Sequence, residues 1–309
     1  MNTSSPLTLW SYAFQAMGSP CEVHVYASSR TEGERIIECC VTEVDRIESR
    51  YSRHLTTSTL FDINRVALHG GEIKLDPETA ALVDYAFACF EKSDGAFDIT
   101  SGLLRKAWDF SSVTVPEHQE LCELLKLVGL DKVTWQNPVL NFTVPGQELD
   151  FGGIAKEYAA VRAAEVCRDQ GANHGLVDLG GDIQMLGPHT NDDPWDIQIQ
   201  HPRLPDTVLT TLQLRNGGLA SSGDYERCIV KDGKRYGHIL DPRTGFSVNG
   251  LAAVTVVAKD CLVAGSLATI AMLKGAKGPA WLVEMGVHHL WVDEHGHQGG
   301  DLVHTKIST

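Results

Sequence analysis

Leu149-Asp150-Phe151-Gly152-Gly153-Ile154-Ala155-Lys156-Glu157-Tyr158 is the stretch on which the fold turns. A strand end carries an acid, two glycines follow, and a helix then opens with Lys and Glu in its first turn. Glycines let another group approach the backbone closely. The helix N-terminus offers free N–H groups and the positive end of its dipole, which suits a phosphate. Lys156 adds a point charge. A plainer reading stands beside this one: a Gly-rich strand-to-helix turn with Asp150 as a cap.

The elements around this stretch mix helices and strands. Residues 21–27 alternate and predict a strand. Ile36, Ile37, Cys40, Val44, Ile47 and Tyr51 fall at helical spacing, which predicts an amphipathic helix over 32–51. Residues 52–75 read as irregular, ending in a short strand at Ile73–Leu75. Asp76 and Pro77 then open a helix, as N-cap and first helical residue. Turn residues surround Phe97-Asp98-Ile99-Thr100, and a helix is expected at 117–126. Strands follow near 131–135 and 139–143. The helix after Gly152-Gly153 runs to about Gln170. Strands are expected at 175–179, 183–187, 195–201, 207–215, 227–231 and 252–258, helices at 262–274 and 277–286, and a strand at 288–293. Several consecutive strands in the second half favour an α+β fold over a regular βαβ array.

Composition narrows the function classes. The chain has 309 residues, 43% apolar and 21% charged, which is ordinary for a globular protein. Its length suits one large domain or two intimately packed subdomains. Lys plus Arg is 26 and Asp plus Glu is 40, a formal net charge of −14. Such acidity argues against broad nucleic-acid or anionic-membrane binding, which needs clustered cations. It leaves room for a small anionic ligand. No apolar run is long enough to span a bilayer, so no membrane insertion is expected. The first twenty residues lack a basic and an apolar signal region, which predicts a cytoplasmic protein. None of the eight cysteines forms C-x-x-C, so reduced, mostly buried thiols are expected and a zinc site is not.

Four further stretches hold chemistry-bearing residues. Val177-Asp178-Leu179-Gly180-Gly181-Asp182-Ile183 sets paired glycines between acids; a tight turn between two strands explains it equally well. Gly218 to Arg227 runs from small residues into the polar turn Ser222-Gly223-Asp224-Tyr225-Glu226-Arg227, either a cavity lining or a solvated hairpin loop. His238-Ile239-Leu240-Asp241-Pro242-Arg243-Thr244-Gly245 puts an imidazole, a carboxylate and a guanidinium near one rigid turn. His238 is the best general acid/base candidate of the thirteen histidines, against a reading in which a local hydrogen bond satisfies it. Gly265 and Thr269 lie one helical turn apart and share a face. A hydroxyl there could ligate a hard cation, or the face could be simple packing.

In this order and spacing the blocks resemble the ApbE-type flavin transferases (FAD:protein FMN transferases). The resemblance runs from Ala16-Met17-Gly18-Ser19 to about Gly275. It takes in Tyr51, Ser58 to Asn64, Gly95-Ala96-Phe97-Asp98-Ile99-Thr100, Asp150 to Tyr158, Leu176 to Ile183, Ser222 to Arg227 and His238 to Gly245. It implies an α+β fold of tandem T-fold-like halves with FAD between them, one such domain filling residues 1–309. It implies Mg²⁺-dependent transfer of FMN from FAD to a Thr or Ser hydroxyl of an acceptor flavoprotein that carries a flavinylation motif. A phosphoester forms and AMP leaves. Met17, Tyr51, Ala96, Phe97, Asp98, Asp150, Lys156 and Ile239 would line the FAD site. His238 and Asp241 would stand at the reacting phosphate, with His238 handling the proton. The alternatives are a non-catalytic flavin carrier or assembly protein, and an FAD pyrophosphatase that yields FMN and AMP.

Three positions depart from the family pattern. The chain has Gly265-Ser266-Leu267-Ala268-Thr269 where the family commonly has Asp-Ala-Leu-Ala-Thr and uses the Asp as a metal ligand. It has Glu157 where a Gly commonly follows the Lys, and Val161 where an Asp commonly lies. The family's metal is reached from the Gly153 carbonyl and from the helix bearing Thr269. The first two departures together predict a relocated ligand, with Glu157 returning the carboxylate lost at 265 and joining Gly153 and Thr269. The other reading is a solvated glutamate favoured by the helix dipole.

Overall fold

The computed structural model describes residues 6–225 and 227–303. In chain order the elements are β1 (Thr8–Ala16), β2 (Ser19–Ala27), α1 (Arg30–Tyr51), α2 (Thr59–His69), β3 (Gly71–Lys74), α3 (Pro77–Lys92), α4 (His118–Leu125), β4 (Val133–Gln136), β5 (Val139–Phe142) and α5 (Ala155–Asp169). The second half holds β6 (Gly175–Leu179), β7 (Asp182–Gly187), β8 (Trp195–Gln200), β9 (Val208–Leu214), β10 (Gly218–Gly223), β11 (Cys228–Lys231), β12 (Lys234–Gly237), β13 (Leu251–Ala258), α6 (Cys261–Lys274), α7 (Gly278–Met285), β14 (His288–Asp293) and β15 (Gln298–Gly299).

An eight-stranded sheet, ordered β1-β2-β6-β7-β10-β13-β14-β15, forms the frame. Its paired strands all run antiparallel. Helix α1 packs on α5 and α5 on α6; α5 also packs on β7, and α6 on β10 and β13. Every residue of β7 is buried, as expected of a central strand. The β8–β9 hairpin covers another part of the sheet. Along β8 burial alternates strictly, and Trp195, Ile197 and Ile199 join Leu176, Ile183, Leu219 and Val257 in a second apolar cluster. A third cluster gathers Leu103, Leu104, Trp108, Leu121 and Ile229. Strands β3, β5 and β4 make a small separate sheet.

Local chemistry accounts for most helix boundaries. The Ser29 hydroxyl accepts the Glu32 N–H at 3.3 Å and starts α1, whose buried Ile36, Cys40, Val44, Ile47 and Tyr51 repeat at helical spacing. Asp76 accepts the N–H groups of Glu78 and Thr79 at 3.1 and 3.3 Å, with Pro77 at the first helical position, as the sequence predicts. All eight cysteines are free thiols, five of them buried.

Three expectations need correction. Residues 52–75 are not irregular: Ser58 caps α2, which buries Leu60, Ile63 and Ala67. Leu149-Asp150 does not end a strand. The Asn64 side chain takes the part of a neighbouring strand there, accepting the Leu149 N–H at 2.7 Å and donating to the Leu149 carbonyl at 2.9 Å. Residues 218–223 are not a loop but β10, held between β7 and β13. Only the turn after it is polar, and Glu226 of that turn lies outside the described residues.

Candidate active site

The quoted stretch folds as a tight turn into α5. Gly152 N–H donates to Asp150 Oδ1 at 2.7 Å, and Asp150 N–H donates to the Ile99 carbonyl at 2.8 Å. Asp150 therefore caps the turn and not the helix. The helix-capping position is Ile154, which has no side-chain capping bond. The other carboxylate oxygen of Asp150 pairs with Arg53 at 2.8 Å and Arg105 at 3.3 Å. A Cβ on Gly153 would stand 3.3 Å from the Phe97 ring, so glycine lets the turn lie against that ring.

The turn forms one wall of a cavity of about 500 Å³. Of the residues singled out in sequence, Ala96, Phe97, Asp98, Asp150, Gly153, His238, Ile239 and Thr269 line it. Ligand sites are commonly of this size. The lining also includes Arg53, Arg105, Arg227, Ser222, Trp108 and Phe110. Ser222 and Arg227 belong to a block recognised in sequence. Arg53, Arg105, Trp108 and Phe110 were not anticipated, because an isolated Arg or aromatic carries no local pattern. Trp108 and Phe110 stack with ring centres 5.5 Å apart and planes 7° apart.

The His238 block forms a tight hairpin. Gly245 N–H donates to the Asp241 carbonyl at 2.8 Å, and Gly245 has a φ of +74°. The Asp241 carboxylate accepts from Arg243 N–H and Nε, both at 2.9 Å. Trp108 Nε1 donates to the Gly245 carbonyl at 2.8 Å, tying the hairpin to the cavity wall. His238 is half-buried at that wall, whereas Asp241 is not part of the lining.

Four other candidates lie off the lining. Met17 adopts a φ of +52°, and its N–H donates to Glu48 at 2.9 Å. The Tyr51 ring sits edge-on to Phe151 at 5.4 Å, supporting the quoted stretch from beneath. Lys156 pairs with Asp182 at 2.9 Å. Glu157 is buried. Asp98 does line the cavity, but its carboxylate is bound to the fold: Oδ1 accepts from Thr100 N–H and Oγ, at 2.7 and 2.6 Å, and Oδ2 from Leu130 N–H at 2.9 Å. Burial outweighs these bonds and raises its pKa.

Glu157 is the most unusual acid in the structure. It is only 7% exposed, so it is not a solvated first-turn glutamate. Among the described residues its Oε2 has no hydrogen-bond partner. Burial, reinforced by Asp182 and opposed by Lys156, pushes its pKa up to about 8. Its side chain occupies the space beside Gly265. A Cβ built on Gly265 would lie 2.5 Å from Glu157 Cγ and 2.8 Å from Oε1.

A larger cavity, about 620 Å³, lies between the main sheet and the β8–β9 hairpin. None of the FAD, catalytic or metal candidates lines it, so volume alone does not mark the site. Among the described residues no group of three or more His, Cys, Asp or Glu is placed to hold a metal, and no helix is long and apolar enough to cross a membrane.

The ApbE family profile matches residues 17–291, a span that contains every site residue discussed above. The chain belongs to the ApbE family. Among ApbE-family relatives, the FAD:protein FMN transferase of Klebsiella pneumoniae is 30% identical over 260 residues, covering 82% of this chain and 79% of that protein. The FAD:protein FMN transferase of Haemophilus influenzae is 30% identical over 253 residues, covering 78% and 72%. Among solved structures, the ApbE protein of Thermotoga maritima superposes with a TM-score of 0.87 at 33% identity, covering 95% of this chain and 97% of that one. The Pseudomonas stutzeri flavinyl transferase ApbE gives 0.83 at 26% identity, covering 94% and 93%. The α+β architecture expected from the sequence is thus the ApbE architecture.

Proposed function

We infer that this ApbE-family chain is an FAD:protein FMN transferase that uses the 500 Å³ cavity as its FAD site. The lining carries the reading. Three arginines and a histidine face one cavity that also presents Phe97, Ile99, Trp108 and Phe110, in a chain of net charge −14. Aromatic and aliphatic walls suit a flat tricyclic ring, and local cations suit a dianionic pyrophosphate. Fixed guanidinium groups attract an anion whatever the net charge of the whole molecule.

In this reading the hydroxyl oxygen of an acceptor Thr or Ser attacks the FMN-side phosphorus of FAD. The bond to the AMP phosphate breaks, and its electron pair leaves with AMP. The hydroxyl proton passes to the His238 imidazole, which sits at the wall as general base. Arg53, Arg105 and Arg227 hold the pyrophosphate, and Phe97 sets the depth of the ring against Gly153. Asp241, bound to Arg243, keeps the hairpin that presents His238 in shape. Met17, Tyr51 and Lys156 act from behind the lining, positioning the turn and α5. The Gly153 carbonyl and the Thr269 hydroxyl are hard oxygen donors that fit Mg²⁺. Bound there, Mg²⁺ would supply Lewis-acid neutralisation of the pyrophosphate charge.

The test is turnover with FAD, Mg²⁺ and an acceptor domain bearing a flavinylation motif. Covalent FMN on the acceptor, with one AMP per FMN, is the expected result. Replacing His238 by Ala should lower the rate about 10²–10⁴-fold, the usual range for a positioned acid or base. Free FMN without acceptor labelling would mark hydrolysis. Tight FAD binding without AMP release would mark a flavin carrier. Either result would overturn the transferase reading.

A further inference from the structure

We propose that Glu157 is the carboxylate ligand of the divalent cation in this site, supplied from the first turn of α5 and reaching across to α6. The proposal rests on the flavin-transfer reading only for naming Mg²⁺ as the cation; the geometry stands without it.

A glutamate in a helix's first turn ordinarily faces water and gains a little from the dipole. Glu157 instead turns inward and leaves one oxygen without a donor. A buried carboxyl with an oxygen that accepts no hydrogen bond is costly to ionise, and a cation bound at that oxygen would displace its proton and offset the cost. The Lys156 ammonium, which favours the charged form of Glu157, pairs with Asp182 at 2.9 Å. The space the carboxylate fills is the one a side chain at 265 would take, since a Cβ there would overlap Glu157 Cγ at 2.5 Å. Glycine at 265 is what makes the inward glutamate possible.

The surroundings suit a hard cation. Thr269 lies one turn beyond Gly265 on the same helix face and lines the cavity together with Gly153. Helices α5 and α6 pack directly on each other. One carboxylate, one hydroxyl and one backbone carbonyl therefore come from two adjoining helix ends and faces. Mg²⁺ is commonly held by one or two carboxylates plus substrate phosphate, with waters completing its shell. That pattern accommodates a site with a single acid.

Mn²⁺ binding to the EDTA-treated full chain, followed by electron paramagnetic resonance of the free ion, tests the assignment. Glu157→Gln keeps the shape and removes the charge. It should weaken Mn²⁺ binding at least tenfold while the EDTA-treated variant melts at or above the wild-type temperature. A second variant, Glu157→Ala with Gly265→Asp, moves the carboxylate to α6 and should regain Mn²⁺ binding. Mn²⁺ affinity within twofold of wild type in Glu157→Gln would overturn the proposal. So would an EDTA-treated Glu157→Gln that melts well below wild type, because the acid would then be structural. The two readings fail separately. Glu157-dependent Mn²⁺ binding without acceptor flavinylation sinks the transferase reading and keeps this one. Flavinylation with Mn²⁺ binding indifferent to Glu157 does the reverse.

Discussion

Gly152-Gly153 and Gly180-Gly181 each follow an aspartate, and each aspartate accepts a glycine N–H of its pair. Asp150 takes the N–H of Gly152 and Asp178 that of Gly181, both at 2.7 Å. The backbones then diverge. Gly180 and Gly181 have φ of +68° and +90° and form the two-residue connection between β6 and β7, where hairpin twist demands positive φ. Neither Gly152 nor Gly153 has a positive φ. Their glycines are required by proximity: to Asp150 for Gly152, and to the Phe97 ring for Gly153. One pair is glycine for its conformation and the other for its missing Cβ. Only the second lines the proposed FAD cavity.

That contrast is open to direct attack by substitution. Gly180→Ala should have the largest effect. It forces a Cβ into left-handed backbone and to 2.6 Å from Ser19 Cβ. A loss of about 2–4 kcal/mol is expected, from roughly 1–2 for the backbone and the remainder from overpacking. Urea midpoints at constant slope would measure it, and FAD affinity of the folded protein should not change. Gly153→Ala should invert the pattern, with stability altered by less than about 1 kcal/mol and FAD binding weakened about tenfold, or ~1.4 kcal/mol. Flavin fluorescence titration reads this; a stability loss larger than the binding loss would erase the distinction between the pairs.

Gly181→Ala is expected to cost about 1 kcal/mol, since a Cβ there meets nothing within 4 Å and only the backbone objects. The smallest effect belongs to Asp178→Asn. Burial raises the Asp178 pKa, partly offset by the Gly181 N–H. A carboxyl raised above its unfolded value of about 3.9 favours the fold when protonated. Its contribution is present below that value and is lost as pH climbs through the folded pKa. The Asn variant, uncharged at every pH, should therefore lie within about 0.5 kcal/mol of wild type at acid pH and lack the wild-type decline of stability as pH climbs toward neutrality. Melting temperatures across that range would show whether the decline persists.

The elements legible in sequence are those with strong periodicity or capping, such as α1, α3 and α5. Helix α2 was hidden by the turn-rich residues before it, although Ser58, Leu60, Ile63 and Ala67 mark its cap and buried face. Strand β1 carries an alternation of Trp10, Tyr12 and Phe14, but it pairs only with β2 at the sheet edge and stays largely exposed, so the alternation does not mark a buried face. Gly-Leu-Ala-Ser-Ser-Gly in β10 has no β-branched residue; pairing with β7 and β13 imposes its conformation. In the cavity, the motif residues were legible as blocks. Arg53 and Arg105 were not, because their meaning lies in a tertiary pairing with Asp150. The adjacency of Glu157 and Gly265 was legible because two departures from the family pattern fell at positions that the fold places side by side.

The stacked pair Trp108–Phe110 has an optical consequence. Trp108 is the one tryptophan in the lining of the proposed FAD cavity, of six in the chain. Indole emission overlaps flavin absorption, and energy transfer at contact range is nearly complete. A flavin entering this cavity would darken that indole most strongly. The wall that would hold the ring thus carries its own light meter, and occupancy could be followed in real time without a label.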